Sequence, residues 1–201
     1  MPKGNLILIL DTETTGNEAE DEIIEIGMVM LDSPSLNEIG SFTAVIKPSA
    51  GGLQRLLDKA VVKAMHEKNG LLSALDSGLP SDIVDSQIVR WLSQYSEDTT
   101  HIPFGGSGVL HFDRQYIRKG LPRLDKRITY WALDVGVARR IAAIRGYKTA
   151  SIDAKDHRAL QDARVHTDEL RFYVDRFRRA DEQQELEDQF TAVRQAEDAS
   201  I

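Results

Sequence analysis

Cysteine is absent from the chain, and this absence excludes several kinds of site. Without thiols the protein has no disulfide bond, no cysteine nucleophile and no thiolate zinc site. The sequence also lacks an apolar run of membrane-spanning length, and its N-terminus shows no signal-peptide pattern. We therefore expect a cytoplasmic protein without a membrane partner. With 201 residues, of which 41% are hydrophobic, the chain can bury one full core.

Acidic side chains outnumber basic ones, 32 to 25, so the formal net charge is −7. Much of the acidic excess lies in residues 181–201, which hold seven acidic side chains against one arginine. Residues 111–150 instead hold ten basic side chains against three aspartates. This basic segment is either a phosphate-contacting surface or a solvated charged face of helices. We expect residues 1–180 to form the globular domain and residues 181–201 an acidic C-terminal helix or tail.

The order of the predicted elements indicates the fold class. Apolar and alternating patterns predict three successive strands joined by short links and then two more strands, at residues 6–10, 23–31, 39–47, 101–104 and 128–133. Helical spacing predicts helices at residues 53–66, from 70, from Ser81 as N-cap, at 112–119, after Asp134 as cap, and at 158–178. Strands that first follow one another and then alternate with helices favour an α/β fold of three layers, with a mixed five-stranded sheet flanked by helices.

Two carboxylates stand at the end of the first apolar run. In a strand, residues i and i+2 point to the same face, so Asp11 and Glu13 can converge while Thr12 faces the opposite way. Carboxylates beside a buried strand need a strong partner, and a hard divalent cation is one such partner. The alternative is an ordinary acidic turn, because Gly16 is a turn signal.

Three further residues have the chemistry that would complete such a site. Asp113 begins a predicted helix after the glycine-rich segment 105–108, and Asp162 lies five residues after His157. The glycine-rich segment is not a phosphate-binding P-loop, because no Gly-Lys-Ser/Thr ending follows it. Individually, Asp113 is explained equally well as a residue favoured at a helix N-terminus. Together, four carboxylates and a histidine suit a two-metal site, which phosphodiester hydrolysis requires more than most reactions.

These motifs resemble those of a known enzyme family. The segments Asp-Thr-Glu-Thr-Thr-Gly at 11–16, His-Phe-Asp-Arg-Gln-Tyr-Ile at 111–117 and Asp-His-Arg-Ala-Leu-Gln-Asp-Ala at 156–163 resemble the three motifs of the DEDDh 3′–5′ exonucleases. Within that family, Met-His-Glu-Lys-Asn-Gly-Leu at 65–71 and Glu-Leu-Arg-Phe-Tyr at 169–173 are most similar to oligoribonucleases. The resemblance spans roughly residues 5–178. It implies an RNase H-like fold, with residues 1–180 as the exonuclease domain.

The resemblance also implies a mechanism. Two divalent cations, Mg²⁺ or Mn²⁺, would bind, the water-activating one at Asp11, Glu13 and Asp162 and the second at Asp11 and Asp113. His157 would deprotonate the attacking water, because a histidine with an unperturbed pKa of about 6.5 is readily neutral. The product would be nucleoside 5′-monophosphates, released from the 3′ end of short or single-stranded RNA or DNA.

Substrate contacts and assembly are implied in the same way. Thr14, Thr15 and Gly16 would run past the terminal nucleotide and offer it backbone or hydroxyl contacts. Met65 would bind substrate as well. Likeness to oligoribonucleases further implies a homodimer.

Some residues depart from the oligoribonuclease pattern. Typical members carry Cys and Met inside the first motif and Leu after its glycine, whereas this chain has Thr12, Thr14 and Asn17. The Arg and Ser that cap a dinucleotide's 5′ phosphate align with Trp131 and Gly136. Two alternatives therefore stay open, namely a DNA-preferring proofreading or repair exonuclease and a catalytically silent binding module.

Overall fold

The computed structural model describes residues 5–95, 101–150 and 156–198. The strands are β1 (Asn5–Thr14), β2 (Ile23–Ser33), β3 (Asn37–Val45), β4 (Ile102–Gly106) and β5 (Ile128–Asp134). The helices are α1 (Ala50–Asp58), α2 (Ala60–Lys68), α3 (Leu71–Ala74), α4 (Ser81–Leu92), α5 (Asp113–Gly120), α6 (Pro122–Asp125), α7 (Val135–Ile144) and α8 (Ala159–Asp198). Among these residues, every helix is too short or too polar to cross a membrane.

The five strands form one mixed sheet in the order β3-β2-β1-β4-β5. Strands β1, β2 and β3 pair antiparallel. Strands β4 and β5 continue the sheet parallel to β1. The predicted α/β fold with a mixed five-stranded sheet flanked by helices is confirmed. The parallel strands β1, β4 and β5 end at the same edge, which is where α/β sheets generally place their ligands.

Helices cover both faces of the sheet, and strand β1 shows how the sequence directs this. Leu8 and Leu10 face a core formed with α4 and α5, whereas Ile9, between them, faces a second core with α7 and α8. Asp11 and Glu13 have the parity of Ile9, and Thr12 has that of Leu10. The first motif therefore points its carboxylates towards the α8 side and its first threonine towards α5.

Helix boundaries differ from the prediction at several places. The single helix predicted over 53–66 is wrong, because the chain breaks at Lys59, with φ −94° and ψ 89°, between α1 and α2. Ser81 is the first residue of α4, and Pro80 occupies the cap position without a side-chain hydrogen bond. The short helix α6 was not predicted. The last helix continues past residue 178 to Asp198.

Helix α8 approaches the sheet closely at Gly27 of β2. A Cβ atom at this position would lie 2.1 Å from the backbone nitrogen of Leu160 and 2.2 Å from the carbonyl carbon of Ala159. Gly27 pairs with Asp11 across strands β1 and β2. The absence of a side chain at Gly27 thus lets the first turn of α8 lie directly beside the first motif.

Candidate active site

A cleft of about 510 Å³ opens at the end of strand β1. All four predicted carboxylates and His157 line this cleft, together with residues from β1, α2 and the β4–α5 connection. The lining residues are Asp11, Thr12, Glu13, Thr14, Gly16, Asn17, Val61, Val62, Met65, Ser107, Phe112, Asp113, His157 and Asp162. The structure therefore brings together side chains that the sequence separates by up to about 150 positions.

The carboxylates of the cleft are held on three different elements. Asp11 and Glu13 lie on one face of β1, Asp113 is the first residue of α5, and Asp162 lies in the first turn of α8. All four residues are buried. Converging carboxylates in a buried site repel one another unless a cation compensates their charge.

Three of the cleft side chains are spaced as the ligands of one ion would be. Glu13, His157 and Asp162 each offer one ligand atom, and these atoms lie within 4.8 Å of one another. Divalent cations bind such oxygen and nitrogen ligands at about 2.0–2.6 Å, so one ion can contact all three. The residues present therefore fit a metal ion. As a member of this cluster, His157 could either bind the ion or take a proton from a water beside it.

Thr12 orients Asp113 from the opposite side of β1. Asp113 Oδ1 accepts hydrogen bonds from the Thr12 backbone N–H at 2.9 Å and from the Thr12 hydroxyl at 2.7 Å. Burial, and then the negative charge of Asp11, raise the pKa of Asp113 to about 7. Without a cation, the ionised form of Asp113 is thus far less favourable than that of an aspartate in water.

His157 is exposed and stands at a backbone position that side-chain-bearing residues rarely adopt, with φ +52°. The Asn69 side-chain amide donates a hydrogen bond to the His157 carbonyl. Next along the chain, Arg158 forms an ion pair with Glu25 at 2.7 Å, and the Ala159 N–H donates to the same carboxylate at 2.9 Å. These contacts hold the backbone at His157 and at the two residues that follow it.

The backbone of the first motif is held by a histidine of α2. Burial lowers the pKa of His66 and so favours its neutral ring, and Nε2 can donate to the Thr14 carbonyl, 3.2 Å away. The Thr14 hydroxyl donates to the Gly16 carbonyl at 2.5 Å. Thr14, Gly16 and the neighbouring Met65 all line the cleft, in the places where substrate contacts were predicted.

The Thr15 side chain lies outside the cleft that its neighbours Thr14 and Gly16 line. Its side chain is fully buried and absent from the cleft lining. Its hydroxyl donates to Asp21 Oδ1 at 2.9 Å and accepts from the Glu22 N–H at 3.0 Å. Asp21 in turn forms an ion pair with Lys59 at 2.5 Å. The Thr15 hydroxyl therefore serves the loop after β1, and the backbone or hydroxyl contact of Thr15 with substrate stays a prediction.

His166 was not predicted as a site residue, although it touches one. Its Nε2 lies 3.3 Å from Asp11 Oδ1, and its Nδ1 lies 3.4 Å from Glu169 Oε2. Arg139 of α7 donates two hydrogen bonds to the carboxylate of the same glutamate, at 2.9 and 2.7 Å. Burial alone would raise the pKa of Glu169, but hydrogen bonds from His166 and Arg139 outweigh it and lower that pKa. The only sequence signal was the i+4 spacing from Asp162 to His166.

Several cations of the basic segment are used inside the molecule. Arg114 donates to the Thr129 and Tyr130 carbonyls and pairs with Asp125. Lys119 contacts the carbonyls of residues 19–21 at 3.1 to 3.3 Å, and Arg139 pairs with Glu169. Arg114 and Arg139 thus satisfy buried or partly buried acceptors, and Lys119 holds the backbone of the loop after β1, so these three side chains serve contacts within the molecule.

Comparison with known proteins places this site in a family. No protein-family model matches the chain. Oligoribonuclease of Dichelobacter nodosus is 32% identical over 181 residues, which cover 88% of this chain and 97% of that protein. The chain belongs to the oligoribonuclease family. Oligoribonuclease of Streptomyces coelicolor is 29% identical over 170 residues, covering 82% of each chain. The predicted resemblance is confirmed, and family membership makes the chain a 3′–5′ exonuclease.

Solved structures of exonucleases share the fold. Escherichia coli exonuclease I in complex with a dT13 oligonucleotide carrying a 5cy group has a TM-score of 0.55 at 17% identity, over 82% of this chain and 39% of that one. A 3′-exonuclease that recognises the 3′ end of the histone mRNA stem-loop has a TM-score of 0.59 at 16% identity, over 86% of this chain and 64% of that one. The chain thus spans less than two thirds of either neighbour.

Proposed function

We propose that this family member is a metal-dependent 3′–5′ exonuclease that hydrolyses short or single-stranded nucleic acid to nucleoside 5′-monophosphates. The observation that carries the proposal is the convergence of Asp11, Glu13, Asp113, Asp162 and His157 on one cleft. In this proposal, two Mg²⁺ or Mn²⁺ ions bind, one at Asp11, Glu13 and Asp162 and the other at Asp11 and Asp113. The absence of cysteine is consistent with action in the reducing cytoplasm.

The proposed mechanism assigns a task to each side chain of the cleft. When bound, the two cations supply an activated water and stabilise the leaving oxygen. His157 takes the proton of the attacking water, for which its exposure at the cleft mouth and its backbone hydrogen bond from Asn69 prepare it. Thr12 holds Asp113 in place through its two hydrogen bonds. Gly16 offers its backbone to the cleft, since a Cβ atom there would lie 2.2 Å from Lys59 Nζ and 2.4 Å from Asp21 Oδ2 in the loop after β1.

The proposed substrate is a nucleic-acid 3′ end without secondary structure. Val61, Val62 and Met65 give the cleft an apolar part of its lining beside the carboxylates, which suits a base placed next to its phosphate. The relatives are named oligoribonucleases, which favours short RNA. A DNA-preferring exonuclease is the second candidate, because Thr12 and Thr14 replace residues typical of oligoribonucleases and exonuclease I was solved with DNA.

We further propose that the chain forms a homodimer through α7. Val137, Ile141 and Ile144 of this helix are 47%, 58% and 83% exposed. A row of apolar side chains on one exposed helix face favours association with a matching surface. The catalytic unit in this proposal is residues 1–180, since the buried side chains of α8, within its described part, end at Tyr173. The remaining acidic helix would be dispensable for turnover.

The substrate proposal is tested with a length series of single-stranded RNA and DNA, from dinucleotides upwards, incubated with Mg²⁺ or Mn²⁺. We expect mononucleotide release, fastest for the shortest RNA, and none when the metal is chelated. Faster release from DNA would favour the second candidate. Equal inertness towards every substrate would overturn the enzymatic proposal. A chain ending at residue 180 should match the full chain on dinucleotides.

A further inference from the structure

A row of charged and polar groups reaches from the surface of α7 to the first carboxylate of the cleft. Arg139 binds both oxygens of Glu169, Glu169 faces His166 Nδ1, and His166 Nε2 faces Asp11. His166 has no exposed surface, and Glu169 is 1% exposed. The row thus links α7, α8 and β1 behind the cleft wall.

The chemistry of this row fixes the histidine ring. An ionised carboxylate only accepts hydrogen bonds, so a ring nitrogen that bonds to one must carry a proton; the neutral ring can do this at one nitrogen and the imidazolium at both. The two-point grip of Arg139 determines the plane of the Glu169 carboxylate. Glu169 thereby sets the orientation of the imidazole, and the imidazole sets the orientation of the Asp11 carboxylate.

Helix geometry couples this row to a second carboxylate. Asp162 and His166 are separated by four residues in α8 and so lie on the same face of that helix. One helical turn therefore presents Asp162 to the cleft and His166 to Asp11. Gly27 lets the first turn of α8 contact the sheet, and the contact between His166 and Asp11 adds a second link between α8 and β1.

We propose that His166 is a positioning residue, which holds the Asp11 carboxylate in the orientation that binds the catalytic cation. This inference rests on the proposed function, in which Asp11 is a metal ligand. Groups behind a metal ligand commonly alter metal affinity by about 10-fold to 100-fold when removed. A purely structural role would need only the Arg139–Glu169 pair, which joins α7 to α8 without the histidine.

Two amide variants separate the two contacts of the ring. In His166→Gln, the terminal amide reaches the position of Nε2 and can still donate to Asp11. In His166→Asn, the shorter amide reaches only the position of Nδ1 and can still donate to Glu169. Both variants replace the ring with an uncharged amide, so each is the matched control for the other.

The experiment measures Mn²⁺ binding to the full chain by titration calorimetry, with thermal unfolding of the metal-free protein alongside. We expect His166→Asn to weaken Mn²⁺ binding by about 10-fold to 100-fold and His166→Gln by about threefold or less. At saturating metal, the KM for a dinucleotide should stay at the wild-type value in both variants. Arg139→Gln, at the solvent end of the row, should give a smaller weakening than His166→Asn.

The possible outcomes separate this inference from the function on which it rests. If the wild type binds no Mn²⁺, or Asp11→Asn binds it as tightly as the wild type, the proposed metal site itself fails. If the wild type binds Mn²⁺ and both amide variants bind it as tightly as the wild type, the positioning role is overturned while the function stands. Equal loss of affinity in both amide variants, in step with a lower Tm, would also overturn it, in favour of a structural role. Should His166→Asn not fold, Arg139→Gln decides, and unchanged affinity there overturns the proposal.

Discussion

The carboxyl group of Asp113 is held where its own charge is disfavoured. It is 3% exposed and accepts two hydrogen bonds from Thr12, yet burial and the charge of Asp11 raise its pKa to about 7. A buried carboxylate whose ionisation is unfavourable is typical of functional sites. In the proposed function, a cation bound beside Asp113 would reverse the effect on the carboxyl group.

This pKa predicts how the metal-free protein responds to pH. The folded-state pKa of about 7 exceeds the ordinary value of 3.8. Between these two pH values, Asp113 therefore holds a proton in the folded chain that it has lost in the unfolded chain. Stability must therefore fall as pH rises from about 4 to about 7 and change little above that. Asp113→Asn, which removes the titration, should be more stable than the wild type at about pH 8 by an amount on the order of a few kcal/mol. Urea unfolding in chelator measures this, and an identical pH slope in both proteins would contradict it.

Asn69 offers a second test at the scale of one residue. Its amide hydrogen bond supports the His157 backbone at a positive φ, so Asn69→Ala should let His157 move away from the attacking water. We expect kcat to fall by about 10-fold to 100-fold, because small displacements of a catalytic group have effects of this size. Metal affinity should change far less than kcat. Ser73→Ala, which removes only a bond to the Gly70 carbonyl, is the control, and equal kcat values in the two variants would contradict this role.

Single residues also show how far sequence reasoning reaches. Asp11 and Glu13 could be paired from strand periodicity alone, and Asp113, His157 and Asp162 from their resemblance to known motifs. The side chains that orient these residues could not be predicted from the sequence. Thr12 meets Asp113 across 101 positions, and His166 meets Asp11 across 155, and no local pattern encodes contacts of such range.

Among the elements, helix boundaries were missed where distant contacts set them. No proline or glycine stands beside Lys59 that would indicate the break in the sequence. Lys59 instead turns its ammonium group to Asp21 and Glu18, in the loop after β1. Helix α4 begins at Ser81 because Pro80, with φ −54° and ψ 143°, takes the cap position that serine usually prefers. By contrast, the apolar spacing of α4 was sufficient to predict its buried face of Val84, Ile88 and Leu92.

The contact between α8 and β2 predicts a large effect at Gly27. In Gly27→Val, the new side chain would overlap the backbone of Ala159 and Leu160, so α8 must move away from the sheet. We expect a loss of stability on the order of 2 kcal/mol or more, as for other overpacked core sites, together with weaker Mn²⁺ binding through displaced Asp162. Gly51→Ala in α1 is the matched control, since its Cβ would make only ordinary contacts. Equal unfolding midpoints for the two variants would contradict this account of Gly27.

At the scale of the whole molecule, the layer order followed from the sequence because each element carried its own pattern. Three linked strands predicted the antiparallel part of the sheet, and the later alternation of strands and helices predicted the parallel part. The order β3-β2-β1-β4-β5 places β1 at the centre, with helices on both faces. A central strand is where a carboxylate motif can meet groups from α5 on one side and α8 on the other.

The exposed face of α7 gives a prediction about assembly. Ile141→Glu should convert the proposed dimer to a monomer, because a charge would be buried in an apolar contact. Light scattering coupled to size-exclusion chromatography measures this. Ile83→Glu is the control, since Ile83 is 44% exposed on α4, which packs on the other face of the sheet. A wild-type mass equal to that of one chain, or a dimer unaffected by Ile141→Glu, would contradict the proposed surface.

The most direct test of the proposed exonuclease is the direction and chemistry of cleavage. A short single-stranded RNA labelled at its 5′ end is incubated with the wild type and with Asp162→Asn, each with Mn²⁺ and with chelator. We expect the wild type to shorten the labelled strand one nucleotide at a time and to release nucleoside 5′-monophosphates. Asp162→Asn and the chelated wild type should leave the strand intact. Immediate release of the labelled 5′ nucleotide, 3′-monophosphate products, or full activity in chelator would contradict a metal-dependent 3′–5′ exonuclease.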